Sequence, residues 1–501
     1  MFFMLRSIVY AALCGTLFVL LLEPSASQQV HNHPAPEKLG TVAFPTNCAP
    51  IAQKEFERAV ALLHSFAYSA AEASFEDVAA RDPNCAMAHW GIAMTHFHQL
   101  WEPPLPPEGF PLGQQEVRRA QEIGVASDRE GGFIHAMALV YDNTAPYQTR
   151  IVRYEAAMQK LAAAYRDDAE VQVFYALALV AAASPFDKTH ARQKQAVEIL
   201  EPLYSKFPQH PGIAHYMIHA YDNAELAGRG AGVARAYAKI APSAPHALHI
   251  PSHIFTRLGM WSDSIASNRA ARAAAHEQGD TGEELHAMDY LVYAYLQEGR
   301  GREAAEIIQQ LRQMQNLDGR DFKAAYASTA MLVRYAVERH QWAEAARIES
   351  PQGAPPHVAA IAAWARAMGL ARSGRPAEVR PEIDRLHELE RPLRAAGNEY
   401  WAQQVRIQAM EAEAWLAQAE GRPDDAERLL RSAADEEDAI EKLPVTPGPI
   451  IPAREQLGDL LLEQHRPDQA VKEFRNALAS APNRRGSLDG LSRATGQSRR
   501  M

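Results

Sequence analysis

Three stretches of this chain carry imidazoles and carboxylates at helical spacing. They are His215-x-x-x-His219-x-x-Asp222, His246-x-x-His249-x-x-x-His253 and His286-x-x-Asp289-x-x-x-Tyr293. Offsets of three and four keep side chains on one stripe of an α-helix, which turns once every ~3.6 residues. A pair of histidines on each of two neighbouring helices offers four imidazole nitrogens. That donor set suits a borderline ion such as Zn²⁺ or Cu²⁺, and the lack of nearby thiols argues against a soft-ion site. His215, His219, His249 and His253 are therefore the candidate metal ligands. Asp222 or Asp289 would serve as a direct ligand or as the acceptor for an imidazole N–H. His246, His286 and Tyr293 complete the surroundings. The competing reading is plainer: His-x-x-x-His arises easily by chance, and a groove-facing imidazole often does no more than hydrogen-bond.

A weaker version of the stripe lies upstream, where His89 and His96 accompany Trp90 and Trp101. These residues suit a ligand role or packing that closes one end of a groove. His31 and His33 miss the third-residue placement that amine-plus-imidazole copper sites need. Enzyme signatures are lacking: there is no Gly-x-Ser-x-Gly elbow, no His-Glu-x-x-His, no phosphate loop and no Cys-x-x-Cys. Ser252 sits between His249 and His253 but off their stripe. No catalytic residue is assigned. Hydrolysis at a metal would require an open coordination position and a general base such as Asp222.

The elements that must carry these residues are helical repeats. Near the C-terminus Leu457-Gly458 and Leu461 open one helix, and Ala470, Phe474, Ala477 and Pro482 mark its partner and the turn beyond. A small residue where two helices cross, a large one four on, a small one three on and then a helix-stopping Pro resembles the tetratricopeptide repeat. The pattern recurs at Ala71, Phe75, Val78 and Pro83, at Ala157, Leu161 and Ala164, and at Ala196, Leu200, Leu203 and Pro208. It returns at Ala304, Ile308 and Leu311, and at Ala426, Leu430 and Ala433. Gly259-Met260-Trp261 and Gly299-Arg300 occupy inter-helix turns. The resemblance spans most of residues 50–485 and implies an all-α superhelical solenoid of antiparallel helix pairs. Segments His215 to Asp222, Ala244 to His253 and Ala88-His89-Trp90-Gly91, with Cys85, further resemble a group of exported bacterial repeat proteins. That likeness implies fold and export, not chemistry.

Proline-rich stretches at Pro103–Pro111, Pro351–Pro356 and Leu443–Pro452 read as loops. The organisation expected is a signal peptide at 1–27, an extended arm at 28–46, histidine-bearing repeats at 47–350, further repeats at 357–486 and a polar, frayed tail at 487–501. Gly228-x-Gly230-x-Gly232 lacks a preceding strand and reads as a helix–helix turn rather than a dinucleotide loop.

The 501 residues carry a formal charge of −10 with both signs interspersed. Nucleic acid would require a concentrated basic face, so it is excluded as a partner. Arg6, the apolar run Ser7 to Leu22 and Ser25-Ala26-Ser27 form a cleavable export signal, and no later run is long enough to span a bilayer. The expected location is periplasmic or secreted, with no membrane association after cleavage. Removing the signal leaves Cys48 and Cys85, one repeat apart in an oxidising compartment, where a disulfide is the default. The leading expectation is an exported scaffold holding a peptide or protein in its concave groove. The alternative is a Zn- or Cu-binding protein built on the histidine cluster.

Overall fold

The structure is a computed structural model that describes residues 37–100 and 105–498. The segment 1–27, His31, His33 and Trp101 lie outside the described residues. Within them every regular element is a helix, and from Lys38 onward they form one compact unit. Consecutive helices pack as antiparallel pairs: Pro50–His64 on Tyr68–Arg81, Pro211–Tyr221 on Ala227–Ile240, Thr281–Gln297 on Gly301–Gln313, Ala453–Glu463 on Pro467–Ser480. The described residues thus form an array of antiparallel helix pairs.

The small–large–small spacing does the packing expected of it. Leu457, Leu461, Phe474 and Ala477 are all buried. A Cβ built on Gly458 would come 2.7 Å from the Phe474 ring, so only glycine lets the two helices cross that closely. The turns at Gly259 and Gly299 take positive φ, +63° and +74°. Cys48 and Cys85 are bridged with Cα atoms 4.8 Å apart, tying the first helical pair to the second.

First and second helices of a pair differ in burial, and the difference places the chemistry. Every residue of Pro211–Tyr221 is buried, whereas Gly301–Gln313 buries only Ala304, Ile307, Ile308 and Leu311. A helix apolar all round belongs in an interior, one with a single apolar stripe at a surface. Pro211–Tyr221, and Thr281–Gln297 from Glu283 on, are therefore enclosed on all sides, and polar groups on them meet one another rather than water.

Several expectations need correction. The 487–501 tail is helical as far as Ser498, because Ala494 and Leu491 pack onto the preceding pair. Gly228, Gly230 and Gly232 lie inside helix Ala227–Ile240 rather than in a turn. A Cβ on Gly230 would sit 3.0 Å from Ile254 and 3.1 Å from Tyr221, so the glycine serves a close helix crossing. Helix Gly109–Ile123 begins inside the proposed 103–111 loop. The arm is extended where described, but its Phe44 is wholly buried among Phe56, Trp90, Phe133 and Phe174.

The array closes on itself. Arg484, fully buried, pairs with Glu455 and Glu338 and donates to the Tyr293 hydroxyl, bringing the last repeats onto helix Thr281–Gln297. Segment 441–452 then lies across the first helices. Its Glu441 N–H donates to the Pro185 carbonyl, Lys442 reaches Asp222, and its carbonyls at Pro444 and Pro449 accept from Tyr290 and Arg334.

Candidate metal centre

Six histidines from three successive first helices meet in the closed interior. His215 and His219 come from Pro211–Tyr221. His246, His249 and His253 come from the short helices Pro245–His249 and Pro251–Arg257, and His286 from Thr281–Gln297. Pro251 lacks an N–H and interrupts the middle helix, yet Ile250 keeps right-handed helical angles of −57° and −30°. His249 and His253 thus remain on one face. Two groups form, each with ligand atoms within 4.8 Å of one another: His215, His219 and His246, and His249, His253 and His286. Each sequence pair holds together, but the four expected ligands do not form one set: His215 and His219 group with His246, and His249 and His253 with His286, so His246 and His286 stand among the nitrogens rather than around them.

The hydrogen bonds outside the cluster fix which nitrogen each ring presents inward. His249 Nδ1 lies 2.6 Å from Asn268 Oδ1. The amide is oriented by its own Nδ2, which donates to the Ser264 carbonyl at 2.8 Å, so Oδ1 accepts and His249 Nδ1 carries the proton. His253 Nδ1 donates to Asp222 Oδ2 at 3.0 Å, and His215 Nδ1 donates to the His64 carbonyl at 2.6 Å. In a neutral imidazole the other nitrogen is then a bare lone pair. His249 Nε2 and His253 Nε2 face each other at 3.0 Å. With both Nδ1 protonated, no hydrogen lies between them. The Tyr290 hydroxyl, 3.3 Å from His253 Nε2 and 3.2 Å from the Pro444 carbonyl, has one proton for these two acceptors; given to His253, it still leaves the His249 lone pair facing that nitrogen.

A proton placed between the two lone pairs would make one ring cationic, and the surroundings oppose that. Burial, with the neighbouring His286 and His253, holds His249 well below the ordinary imidazole range. Burial draws His253 down to about 4 although Asp222 pulls the other way. His215, His219 and His286 are also driven well below it, burial first. Facing lone pairs in a buried site are what a metal cation satisfies.

The second pair is less constrained. His215 Nε2 and His219 Nε2 are 3.1 Å apart, and His219 Nδ1 has no hydrogen-bond partner among the described residues. His219 satisfies the contact by carrying its proton on Nε2, or gives that nitrogen to an ion.

The supporting groups are tertiary. Burial disfavours charge on Asp222, but Lys442 and Arg257, at 2.9 Å each, outweigh it and hold the carboxyl well below its ordinary range. Both oxygens are thereby committed, so Asp222 orients His253 and is not placed to act as a general base. Glu283 accepts from His246 Nδ1 at 3.2 Å and pairs with Lys323. Arg257 and Lys442 also line a cleft of about 180 Å³ beside the centre, walled by Tyr326, Tyr400 and Trp401.

Asp289 and Tyr293 are not part of the cluster. Asp289 lies 3.6 Å from Arg334, and Tyr293 packs under Arg334 and Arg484. Four residues beyond His286 is Tyr290, and that residue takes the expected place. Its i,i+4 offset was present in the sequence, as was the polar Asn268. His89 and His96 pair with Glu116 and Glu72 in a different part of the array, and Trp90 sits in the aromatic core around Phe44. Ser252 donates toward Asn268 at 3.4 Å.

No family model matches the chain, and no curated protein matches it. Among solved structures it is similar to the Cut9–Hcn1 hetero-tetramer of the APC/C, with 11% identity over 88% of this chain and 76% of that one and a TM-score of 0.37. It is also similar to yeast Tom70, with 12% identity over 90% and 96% of the two chains and a TM-score of 0.29. The P58(IPK) TPR domain gives 12% identity, 90% and 99% coverage and a TM-score of 0.22. The architecture above stands on the chain's own helices.

Proposed function

We propose that this protein binds a transition-metal ion through imidazoles alone, at His249, His253 and His286. The observation that carries the reading is the pair of Nε2 atoms 3.0 Å apart, both left as acceptors by the bond that holds each ring's far nitrogen. Three neutral imidazoles suit Zn²⁺ or copper and leave a coordination position for a further ligand. With Asp222 fully engaged, the reading stops at metal binding and does not extend to a metal-assisted hydrolase. The test is equilibrium dialysis of untagged protein against Zn²⁺ and Cu²⁺, with His253→Ala as the control. Retention by the wild type and loss in the variant support the reading; equal retention by both rejects it.

Export is part of the same proposal. A bridged Cys48–Cys85 pair fits an oxidising compartment, as does the Arg6-led apolar N-terminus. Mass spectrometry of protein from the periplasmic or secreted fraction should find a mature N-terminus after Ser27; a retained Met1 would reject it. A peptide or protein partner is the other role that a helical array suggests. Such a partner must bind away from the surface under 441–452 or displace that segment, and pull-down with Lys442→Ala and Arg334→Ala variants tests the second route.

A further inference from the structure

The two histidine triads are contiguous. Ring centroids across the boundary are 5.8 Å apart for His246–His249 and 6.0 Å for His219–His253. Within the triads the longer spacings are 6.4 Å for His219–His246 and 6.3 Å for His253–His286. The gap between the sets is no wider than the sets themselves. From this continuity we infer a dinuclear centre, with His215, His219 and His246 holding a second ion beside the first and a small inorganic anion bridging the two. The inference rests on the metal reading above and adds to it the second site and the class of its ligand.

The need for an anion follows from charge. Six imidazoles bring no negative charge to the ions, and neighbouring carboxylates are already matched, Asp222 by Lys442 and Arg257, Glu283 by Lys323. Two divalent cations buried without compensation are strongly unfavourable. Each triad leaves at least one coordination position open, and paired ions in proteins sit roughly 3.5–4 Å apart, a distance one oxygen or nitrogen donor spans. Hydroxide is the resident candidate: one water binds between the ions and releases one proton to solvent. Azide is an exchangeable analogue of the same charge. The orientation of His215 by the His64 carbonyl, at 2.6 Å, shows that the second set has one ring held as firmly as those of the first.

The experiment is loading of the full chain with Cu²⁺, read by copper content and electron paramagnetic resonance. The inference expects two ions per chain, with most of the Cu²⁺ signal lost through magnetic coupling across the bridge, and a new charge-transfer absorption on adding azide. His219→Gln with His246→Gln, checked for unchanged helical content, should halve the copper and restore a full mononuclear signal from what remains. One ion in the wild type overturns the dinuclear centre but leaves the first site standing. No bound copper overturns both. Two ions giving two full, uncoupled signals, or a double variant that still binds two, also overturns it.

Discussion

Two buried clusters of this protein look alike by composition and behave oppositely by hydrogen bonding. His64, Glu170 and His210 lie as close together as either histidine triad. There Ile213 N–H donates to His210 Nδ1 at 3.2 Å, so His210 Nε2 carries the proton and donates to Glu170 at 2.9 Å. The Tyr216 hydroxyl meets His64 Nδ1 at 2.9 Å, and His64 Nε2 donates to the other Glu170 oxygen at 3.0 Å. Every lone pair has its proton. At His249 and His253 two lone pairs face each other, and the Tyr290 hydroxyl has at most one proton for them. Ligand count does not separate a structural network from a metal site; the direction of each hydrogen bond does.

The sharpest break of the comparison is removal of one ring from each cluster's core. His253→Ala should lower metal affinity by at least ~100-fold, the upper range for disturbing a ligand's own supports, measured by competition with a chelator. Glu170→Gln should leave metal content unchanged while destabilising the fold by roughly 3–5 kcal/mol, because it leaves buried donors poorly matched. Denaturant melts of the two variants check both halves. Metal loss in the Glu170 variant at intact folding would erase the distinction.

Acid titration distinguishes the clusters next. His249, His253 and His286 have folded-state values below the unfolded ~6.5, so the unfolded chain binds more protons. Metal-free protein should therefore lose stability as pH falls below ~6.5, by about 1.4 kcal/mol per pH unit for each such ring. For His253 the loss continues down to about 4. Burial alone would raise Glu170, but His210 and His64 hold it at about 2, so its contribution is present above the unfolded ~4.3 and is lost only as pH drops from there toward 2. Added metal should flatten the first phase above the pH of its release and leave the second unmoved, as read by thermal melts across pH.

Much of this was legible in sequence, for physical reasons. The small–large–small pattern survives because helices cross where side chains are small, and it located Gly458 against Phe474. The His215/His219 and His249/His253 stripes were legible because helix periodicity is local. Asp289 and Tyr293 share the helical stripe but not the cluster, because Arg334 and Arg484 from later repeats engage them, a tertiary contact that spacing does not show. The supports were not legible at all: the His64 carbonyl lies 151 residues from His215, and Lys442 lies 220 from Asp222. Only closure of the array brings them together. Nor could composition show that the polar C-terminus packs as a helix, since Leu491 and Ala494 are few among charged neighbours.

Smaller effects sharpen the supports. Asp222→Asn should weaken metal binding about 10–100-fold by loosening the His253 ring, without changing helical content by circular dichroism. Outside both clusters, reduction of Cys48–Cys85 should cost about 3–4 kcal/mol in the chain-entropy account, given the separation of 37 residues. It should leave metal content unchanged, which reductant-treated samples passed through a desalting column would show.

The most direct measurement is X-ray absorption at the metal edge of protein equilibrated with Zn²⁺ or Cu²⁺, washed free of excess ion and carrying no histidine tag. The account predicts retained metal with an imidazole-dominated shell at ~2.0–2.1 Å and a metal content that falls in His253→Ala. Protein that retains no metal, or metal whose first shell is oxygen alone, would contradict it.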